Sequence, residues 1–588
     1  MKSRQTHPDK QRNGSALGMV MILMVLLTIA GLSLIRVAEG KLIQAVRYKS
    51  QESAAAAAEA AYEKAVFWMS QQVDMLEALE SSPSATTITF PQSHADYKIS
   101  FATFIGARPI FQIQANGYCG IYQKTISVYL VQAVSGWDMG MCRIISGPNT
   151  TDEVNFVTGE IIAMPLHIND MQDNPDYTDI HISGSPQFLE HISLGESRYD
   201  SRGRDKYAST INLFQAGISF NQPASLVVDP ATIRQKVQRF RDCTNPTYRY
   251  SPQVVQALPK HNNGRTGFYT SSVTDLPAVQ LKFYVDASGV GYVRVYNNCT
   301  VAGYTRQGTG SNSWDYKINT TGNNHEYMKY PIYGCHYTPG TYTDIRIDNP
   351  ADAIYVSQNF NGVRSEPGAQ IYVDGNVVIG CGSEDAAALG TINTVKGSIT
   401  VVASGNIWIA NELKVAGNRD ADGMPATDNP NVLGLISQGV IKVVDPGMTR
   451  NELLYDTNLF DASSISGYSP IGNQTGSGTS NRVLPGTMTV EAAMTIGGGG
   501  WGAENVYRLN SSPGRRNYYS SKNDKLIVRG TITESLRGIV GSGTNGYIKQ
   551  YYFDKRLMKG ILPGNMSLKG KYLLVPGGWS ETSTIRSE

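Results

Sequence analysis

The chain has 588 residues, and at roughly 100 to 200 residues per domain it should form about three or four units. Charged side chains make up only 17%, below the roughly 25% of average globular proteins, while 59 Gly and 33 Tyr point to strands and turns. With 51 basic against 49 acidic side chains the net charge is +2, which excludes the global field of a nucleic-acid binder or of a protein selected for an anionic partner.

The N-terminus carries the strongest pattern. Lys2, Arg4, Lys10 and Arg12 precede SALGMVMILMVLLTIAGLSLI, and residues 13–35 contain no charged side chain. At 1.5 Å per residue the run is long enough to cross a hydrocarbon core of ~30 Å. The basic residues ahead of it predict a cytoplasmic N-terminus and an extracytoplasmic body. Its apolar core exceeds that of a secretory signal and ends in LIRVAEGK, without an A-x-A-like cleavage site. Beyond it, Leu42, Ile43, Ala45, Val46, Ala54 to Ala58, Ala60, Ala61, Ala65, Val66, Phe67 and Met69 continue a helical pattern, with no Gly or Pro between Gly40 and Pro83. One rod of roughly 100 Å is therefore expected, running to about Ser81, with an amphipathic outer half in need of a covering surface.

The segment Gln11-Arg12-Asn13-Gly14-Ser15-Ala16-Leu17, the apolar run, and Ala57-Ala58-Glu59-Ala60-Ala61 resemble the N-terminal domain of PilX-type minor pilins of type IV pili, over about the first 80 residues. The resemblance implies that a leader peptidase cuts after Gly14 and methylates Ser15. It also implies that other pilin-like subunits are partners through the helix. Major pilins carry a glutamate at the fifth mature position, where this chain has Met19, and PilX-type minor pilins tend to lack it too. That departure points to an accessory subunit. An uncleaved signal anchor is the competing reading.

After Pro83 the period shortens. Tyr97-Lys98-Ile99-Ser100-Phe101, Ile110 to Ala115 and Thr125 to Leu130 alternate as three strands of a small antiparallel sheet, with Asn116-Gly117 expected to turn between two of them. Such a sheet would cover the helix. Residues 136–350 show short strand-like stretches, including Asp179 to Ile182 and Gln280 to Val285, and one helix from Ala231 to Phe240 opened by Asp229-Pro230.

From residue 351 a repeat emerges in which Gly precedes x-[Val/Ile]-x-[Val/Ile]: Gly375 to Ile379, Gly397 to Val401, Gly405 to Ile409, Gly439 to Val443 and, more weakly, Gly530-Thr531-Ile532. Short strands joined by Gly turns predict an irregular parallel β-helix, with an antiparallel sandwich as the alternative. The tail, Asn545-Gly546-Tyr547, Tyr551 to Leu557, Pro563 and Trp579, resembles the close of large β-rich pilin-like proteins. The expected fold class is α+β, mostly β. Its divisions are a leader at 1–14, a transmembrane helix at 15–40, helix plus antiparallel sheet at 41–135, an irregular β-rich region at 136–350, and the β-helix-like region with its tail at 351–588.

Chemistry is sparse. Asn418, Asp420, Asp422 and Gly423 match the first, third, fifth and sixth positions of a calcium loop, but Asn429 replaces the glutamate of the twelfth. Calcium is the one cofactor to consider, at a weak site. Gly497, Gly499 and Gly502 satisfy G-x-G-x-x-G, yet Pro513 follows too soon for the helix that would hold a pyrophosphate. His167, His181 and His191 share a segment with Asp170, Asp173, Asp176 and Asp179 in no metal-ligand spacing. The cysteines, Cys119, Cys142, Cys243, Cys299, Cys335 and Cys381, form no CxxC, and either disulfides or reduced buried thiols fit.

These readings combine into a non-catalytic minor pilin or pseudopilin-like subunit of a type IV filament or related secretion system. It would lie in the bacterial inner membrane as a single pass, with helix packing at Gly18, Ala30, Gly31 and Ser33 and with no nucleic-acid partner. Two other readings stay open. A membrane-tethered β-helix enzyme acting on polysaccharide would bring Asp374, Glu384, Asp385 and Lys396 together in a cleft, and an adhesin would be displayed at a filament tip.

Overall fold

A computed structural model describes residues 15–72, 74–81, 85–132, 136–141, 154–169, 180–197, 210–222, 230–253, 273–304, 318–320, 323–325, 332–336, 341–380, 392–444, 486–497, 500–503, 524–538, 540–542, 545–561 and 572–586. A helix of 57 residues, α1 (Ser15–Gln71), leads into a short helix, α2 (Met75–Ser81). The single rod expected to reach Ser81 thus stops earlier. Asp74 restarts the chain as a helix cap, its carboxylate accepting the Leu76 and Glu77 N–H groups at 3.0 and 3.3 Å.

The inner half of α1 and its outer half live in different surroundings. Every large apolar side chain from Leu17 to Tyr48 is exposed. From Ala54 onward a stripe of Ala57, Ala58, Ala61, Ala65 and Met69 is buried at helical spacing against an antiparallel sheet. Its strands are β1 (Ala85–Thr89), β2 (His94–Ile105), β3 (Arg108–Cys119) and β4 (Tyr122–Gln132), and they supply Tyr97, Ile99, Phe111, Ile113, Ile126, Val128 and Leu130 to the same core. Asn116-Gly117 is no turn; the chain reverses at Gly120, where φ is +58°, and Gly117 stays inside β3. The reason is steric. A Cβ on Gly117 would fall on the Ala54 carbonyl and the Ala58 amide, so glycine there lets helix and sheet touch backbone to backbone.

A fifth strand completes this sheet, and it is the last of the chain: Tyr572–Ile585 pairs antiparallel with β4, from Tyr572 opposite Gln132 to Ile585 opposite Tyr122. Its Trp579 meets Tyr62 of α1 edge to face at 5.2 Å, and its Tyr572 meets Phe111 at 6.0 Å. Helix and five strands form a head whose two sequence ends lie side by side.

Between β4 and that strand the described residues stack into long ladders of mostly parallel strands, a solenoid-like winding in place of antiparallel pairing. One face stacks Gly368–Val373, Ser398–Ala403, Val432–Ser437, Met488–Ile496 and Lys525–Leu536. A second stacks Asn376–Ile379, Ile407–Ile409, Ile441–Val443 and Trp501–Ala503. Three glycines of the repeat, Gly375, Gly405 and Gly439, mark the corner before this second face, whereas Gly397 precedes the first-face strand Ser398–Ala403. The Gly405 N–H donates to the Gly375 carbonyl and the Gly439 N–H to the Gly405 carbonyl, at 2.9 and 3.0 Å. Asn376 Oδ1 accepts from the Asn406 N–H and Asn406 Oδ1 from the Val440 N–H, each at 3.0 Å. A side chain on Gly405 or Gly439 would strike the asparagine one coil below. Gly530 is different: it sits inside the strand Lys525–Leu536, opposite Ala492, where a Cβ would strike the Ala492 carbonyl.

The order of coils is not the order of sequence. Lys525–Leu536 pairs onward with Trp137–Met141, the first strand after the head, and the ladder continues through Leu166–Ile168, Ile192–Leu194 and Ile218–Ser219. The chain therefore enters the solenoid midway, winds to one end, and returns by helix α3 (Pro230–Cys243). Ile233 of α3 lies against Gly497, and the Phe240 carbonyl accepts from Gln370 Nε2 at 2.7 Å, so α3 runs across the coils toward the other end. There Arg249–Tyr250 pairs with Tyr372–Val373 and the long strand Val273–Val285 with Asn376–Ile379, from which the coils wind back.

Replacing Gly117 by valine is expected to cost about 1–3 kcal/mol through overpacking. It should show as a lower urea midpoint of the full chain, with amide exchange placing the loss in β2 to β4.

Candidate functional site

The N-terminal helix is the one element among the described residues long and apolar enough to cross a membrane. Of its expected packing positions, an added Cβ at Gly18 or Gly31 would meet nothing within 4 Å, and Ala30 lies in the same exposed stretch. The hydroxyl of Ser33 donates to the Ile29 carbonyl at 2.8 Å, as Thr28 does to Met24 at 2.7 Å, so neither leaves a polar group unsatisfied in an apolar setting. Ser15 is the first helical residue, and Gly14 lies outside the described residues.

The side chains singled out for chemistry are mostly absorbed by the fold. Asp420 is an internal turn former, its carboxylate accepting the Asp422 and Met424 N–H groups at 3.0 and 2.9 Å. Asn418 offers its backbone carbonyl to Asn429 Nδ2 at 3.3 Å, and Asn429 is itself buried and tied to Ala416 at 2.7 Å. No group of three His, Cys, Asp or Glu side chains that could hold a metal occurs among the described residues. His167 and Ser193 are register partners on adjacent strands, Nδ1 to Oγ 2.7 Å, with Asn169 Oδ1 at 2.9 Å from Nε2. His191 bridges the Ala216 carbonyl and the Ser219 hydroxyl at 3.1 and 3.0 Å. Both are cross-coil hydrogen bonds. Asp170, Asp173, Asp176 and Asp179 lie outside the described residues.

Nor do the four polysaccharide-cleft candidates gather. Asp374 follows Val373 at the end of its strand and accepts from Ser404 Oγ at 3.0 Å. Lys396 precedes the start of the neighbouring strand and pairs with Asp348 at 3.7 Å. In that parallel register the two sit at opposite strand ends, roughly 20 Å apart. Glu384 and Asp385 lie outside the described residues, as do Gly499 of the Gly-rich run, Cys142 and Cys381. Cys119 and Cys243 are free thiols, and the buried Cys299 thiol donates to the Tyr296 carbonyl at 3.6 Å.

What the sequence did not reveal is a polar plug inside the solenoid where the two halves of the winding meet. Glu534 accepts the Trp137 indole N–H at 2.9 Å and the Trp501 backbone N–H at 2.7 Å. Lys549 pairs with Glu160 at 2.9 Å and donates to the Asn155 carbonyl at 2.7 Å. Tyr551 accepts from the Trp501 indole N–H at 3.0 Å and packs on Trp137 at 5.0 Å. Each contact joins residues at least 33 positions apart, so no local spacing announces it. Burial pushes the Glu534 carboxyl up to about 7, against the opposing pull of the Trp501 and Trp137 donors and of Arg537. Burial likewise lowers the Lys549 ammonium to about 8, with Glu160 pulling the other way.

No family model matches this sequence, and no curated protein does. Among solved structures, the crystal structure of the competence-associated pilin ComZ from Thermus thermophilus aligns over 91% of this chain and 98% of its own, at 9% identity and a TM-score of 0.25. A superposition at that level leaves the architecture to be read from the ladders themselves.

The plug makes stability depend on pH. A carboxyl raised from its ordinary value to about 7 contributes stability that is complete below the ordinary value and is lost as pH rises through 7. An ammonium lowered to about 8 contributes stability that is complete above its ordinary value and lost as pH falls through 8, so it is nearly flat below 7. Between about pH 5 and pH 7 the Glu534 contribution therefore declines while that of Lys549 stays nearly flat, and the melting temperature should fall across this window. Glu534→Gln should remove that slope, measured by thermal melts of the full chain. Near pH 5 it should also lower stability by about 1–3 kcal/mol, because an amide NH2 must face one of two N–H donors, and that deficit should shrink as pH rises through 7.

Proposed function

We propose that this chain is a minor pilin or pseudopilin-like subunit of a type IV filament or a related secretion system, held in the bacterial inner membrane by one helix and displaying a large β body outside. The observation that carries the reading is the continuity of α1, a helix of 57 residues without a break between its exposed apolar half and its packed half. A secretory signal gains nothing from such continuity, and a simple anchor does not need an alanine stripe seated on a sheet. A rod of this kind suits lateral packing with copies of itself. Gly18, Ala30, Gly31 and Ser33 then mark where neighbouring helices approach, and the leader of residues 1–14 is removed by a peptidase between Gly14 and Ser15. The body's role is assembly and display, and a tip adhesin is a special case of it. The enzyme alternative draws no support from Asp374 and Lys396, which stand at opposite strand ends.

Mass spectrometry of the mature N-terminus tests the reading. In the producing bacterium the first residue is expected to be methylated Ser15, and Gly14→Leu should leave residues 1–14 attached. An N-terminus generated beyond residue 35, or processing indifferent to Gly14→Leu, would overturn it.

A further inference from the structure

We infer that the head closes only after the solenoid has been completed, with Arg108 and the C-terminal strand acting as a two-part latch. Arg108, at the start of β3, is buried and donates from Nε to the carbonyl of Gln132, the last residue of β4, at 2.9 Å. A second nitrogen, Nη2, donates to the same oxygen. Its Nη1 donates to the Met558 carbonyl at 2.6 Å and to the Leu557 carbonyl at 3.5 Å. Those two residues belong to the turn Lys555–Lys559 that directly follows the last coil strand, Ile548–Phe553. One guanidinium thus holds the point where the chain leaves the head and the point where it leaves the solenoid. Gly106 and Gly560 pack at the same place, and a side chain at Gly106 would meet the Gly560 carbonyl at 2.5 Å.

The consequence is entropic. About 440 residues separate the end of β4 from the start of the C-terminal strand, and the probability of loop closure falls roughly as the three-halves power of loop length. With the solenoid folded and its exit pinned by Arg108, the tether shrinks to about ten residues beyond Ile561. The ratio of those lengths favours docking by roughly 300-fold. Until the strand docks, β4 has an open edge, Lys124 lacks its partner Glu581 at 2.5 Å, and Tyr62 of α1 lacks Trp579. Under the pilin reading, on which this clause alone rests, a subunit would present its finished helix only when the strand Tyr572–Ile585 has been exported and the body wound.

Amide exchange on the full chain in detergent micelles tests the latch without reference to leader processing or filaments. A site-specific protease sequence is placed between residues 561 and 572, and the uncut variant, with exchange matching wild type, serves as the reference. After cutting and dilution to about 1 µM, protection of β4 is expected to fall at least 100-fold in a concentration-dependent way, because the tethered strand loses its millimolar effective concentration. Protection of Ser398–Ala403 should not change. Arg108→Ala should lower β4 protection in the uncut chain, and Arg108→Lys, which cannot span two carbonyls as a fork, should do nearly the same. Unchanged β4 protection after cutting, or Arg108→Ala indistinguishable from wild type, would overturn the inference.

Discussion

The fold rests on one stacking event, the pairing of Lys525–Leu536 with Trp137–Met141. A coil of short strands cannot bury its own apolar face, so each level is stable only between two others. Here the first strand after the head is not an end of the stack but its middle, flanked by the last coils on one side and by Leu166–Ile168 on the other. Neither winding has a complete core alone. Trp137, Phe156, Tyr551 and Trp501 fill the junction, with Trp137 to Phe156 at 6.1 Å edge to face. Placing Glu534, Lys549 and Glu160 beside them costs desolvation, which the short indole, backbone and ion-pair contacts offset. A mismatched stack would leave those charges buried and unpaired, so the plug penalises every register but one.

The legible parts of the structure were those whose signal is local. Hydropathy marks the membrane-length run, and the alanine spacing from Ala54 to Ala65 marks the buried stripe of α1. The repeat at Gly375, Gly405 and Gly439 was readable because each corner needs the same backbone approach and the same asparagine geometry. Misreadings came where a local signal was overruled by a distant backbone. Asn116-Gly117 has the composition of a turn, yet the helix passing over β3 requires a residue without Cβ at that point of a continuous strand. Gly530 imitates a corner for a similar reason, since its neighbour is the Ala492 carbonyl of the strand beside it. Break and restart at Asp74 depend on capping and on an ion pair with Arg239 of α3 at 2.8 Å, and neither is visible in a helical period.

Coil order and the polar plug were beyond the sequence because they are set by contacts across hundreds of residues. Nothing near Glu534 says that Trp137 will face it, and a lone glutamate two residues past an isoleucine reads as a solvated strand face. The histidines teach the converse. His167 and His191 look like candidate ligands in a row of aspartates, but parallel stacking brings each within hydrogen-bond reach of a hydroxyl one coil away, which satisfies the ring. In a solenoid, polar side chains repeat across coils, and hydrogen-bonded ladders are their ordinary fate.

The position of the solenoid within the chain bears on what can vary. In the head, β4 and the C-terminal strand are antiparallel neighbours, the relation that a short hairpin would normally provide. The whole winding replaces that turn. Because its exits are pinned side by side by Arg108, the head experiences the body only as a closed connection of fixed span, whatever lies between. Insertions and changes of surface along the coils then leave the seating of α1 undisturbed, provided the junction at Trp137 and Glu534 still forms. Constraint is thus concentrated in two places, the glycine contact between α1 and β3 and the seam of the stack, while the outer faces of the coils are free to acquire different partners.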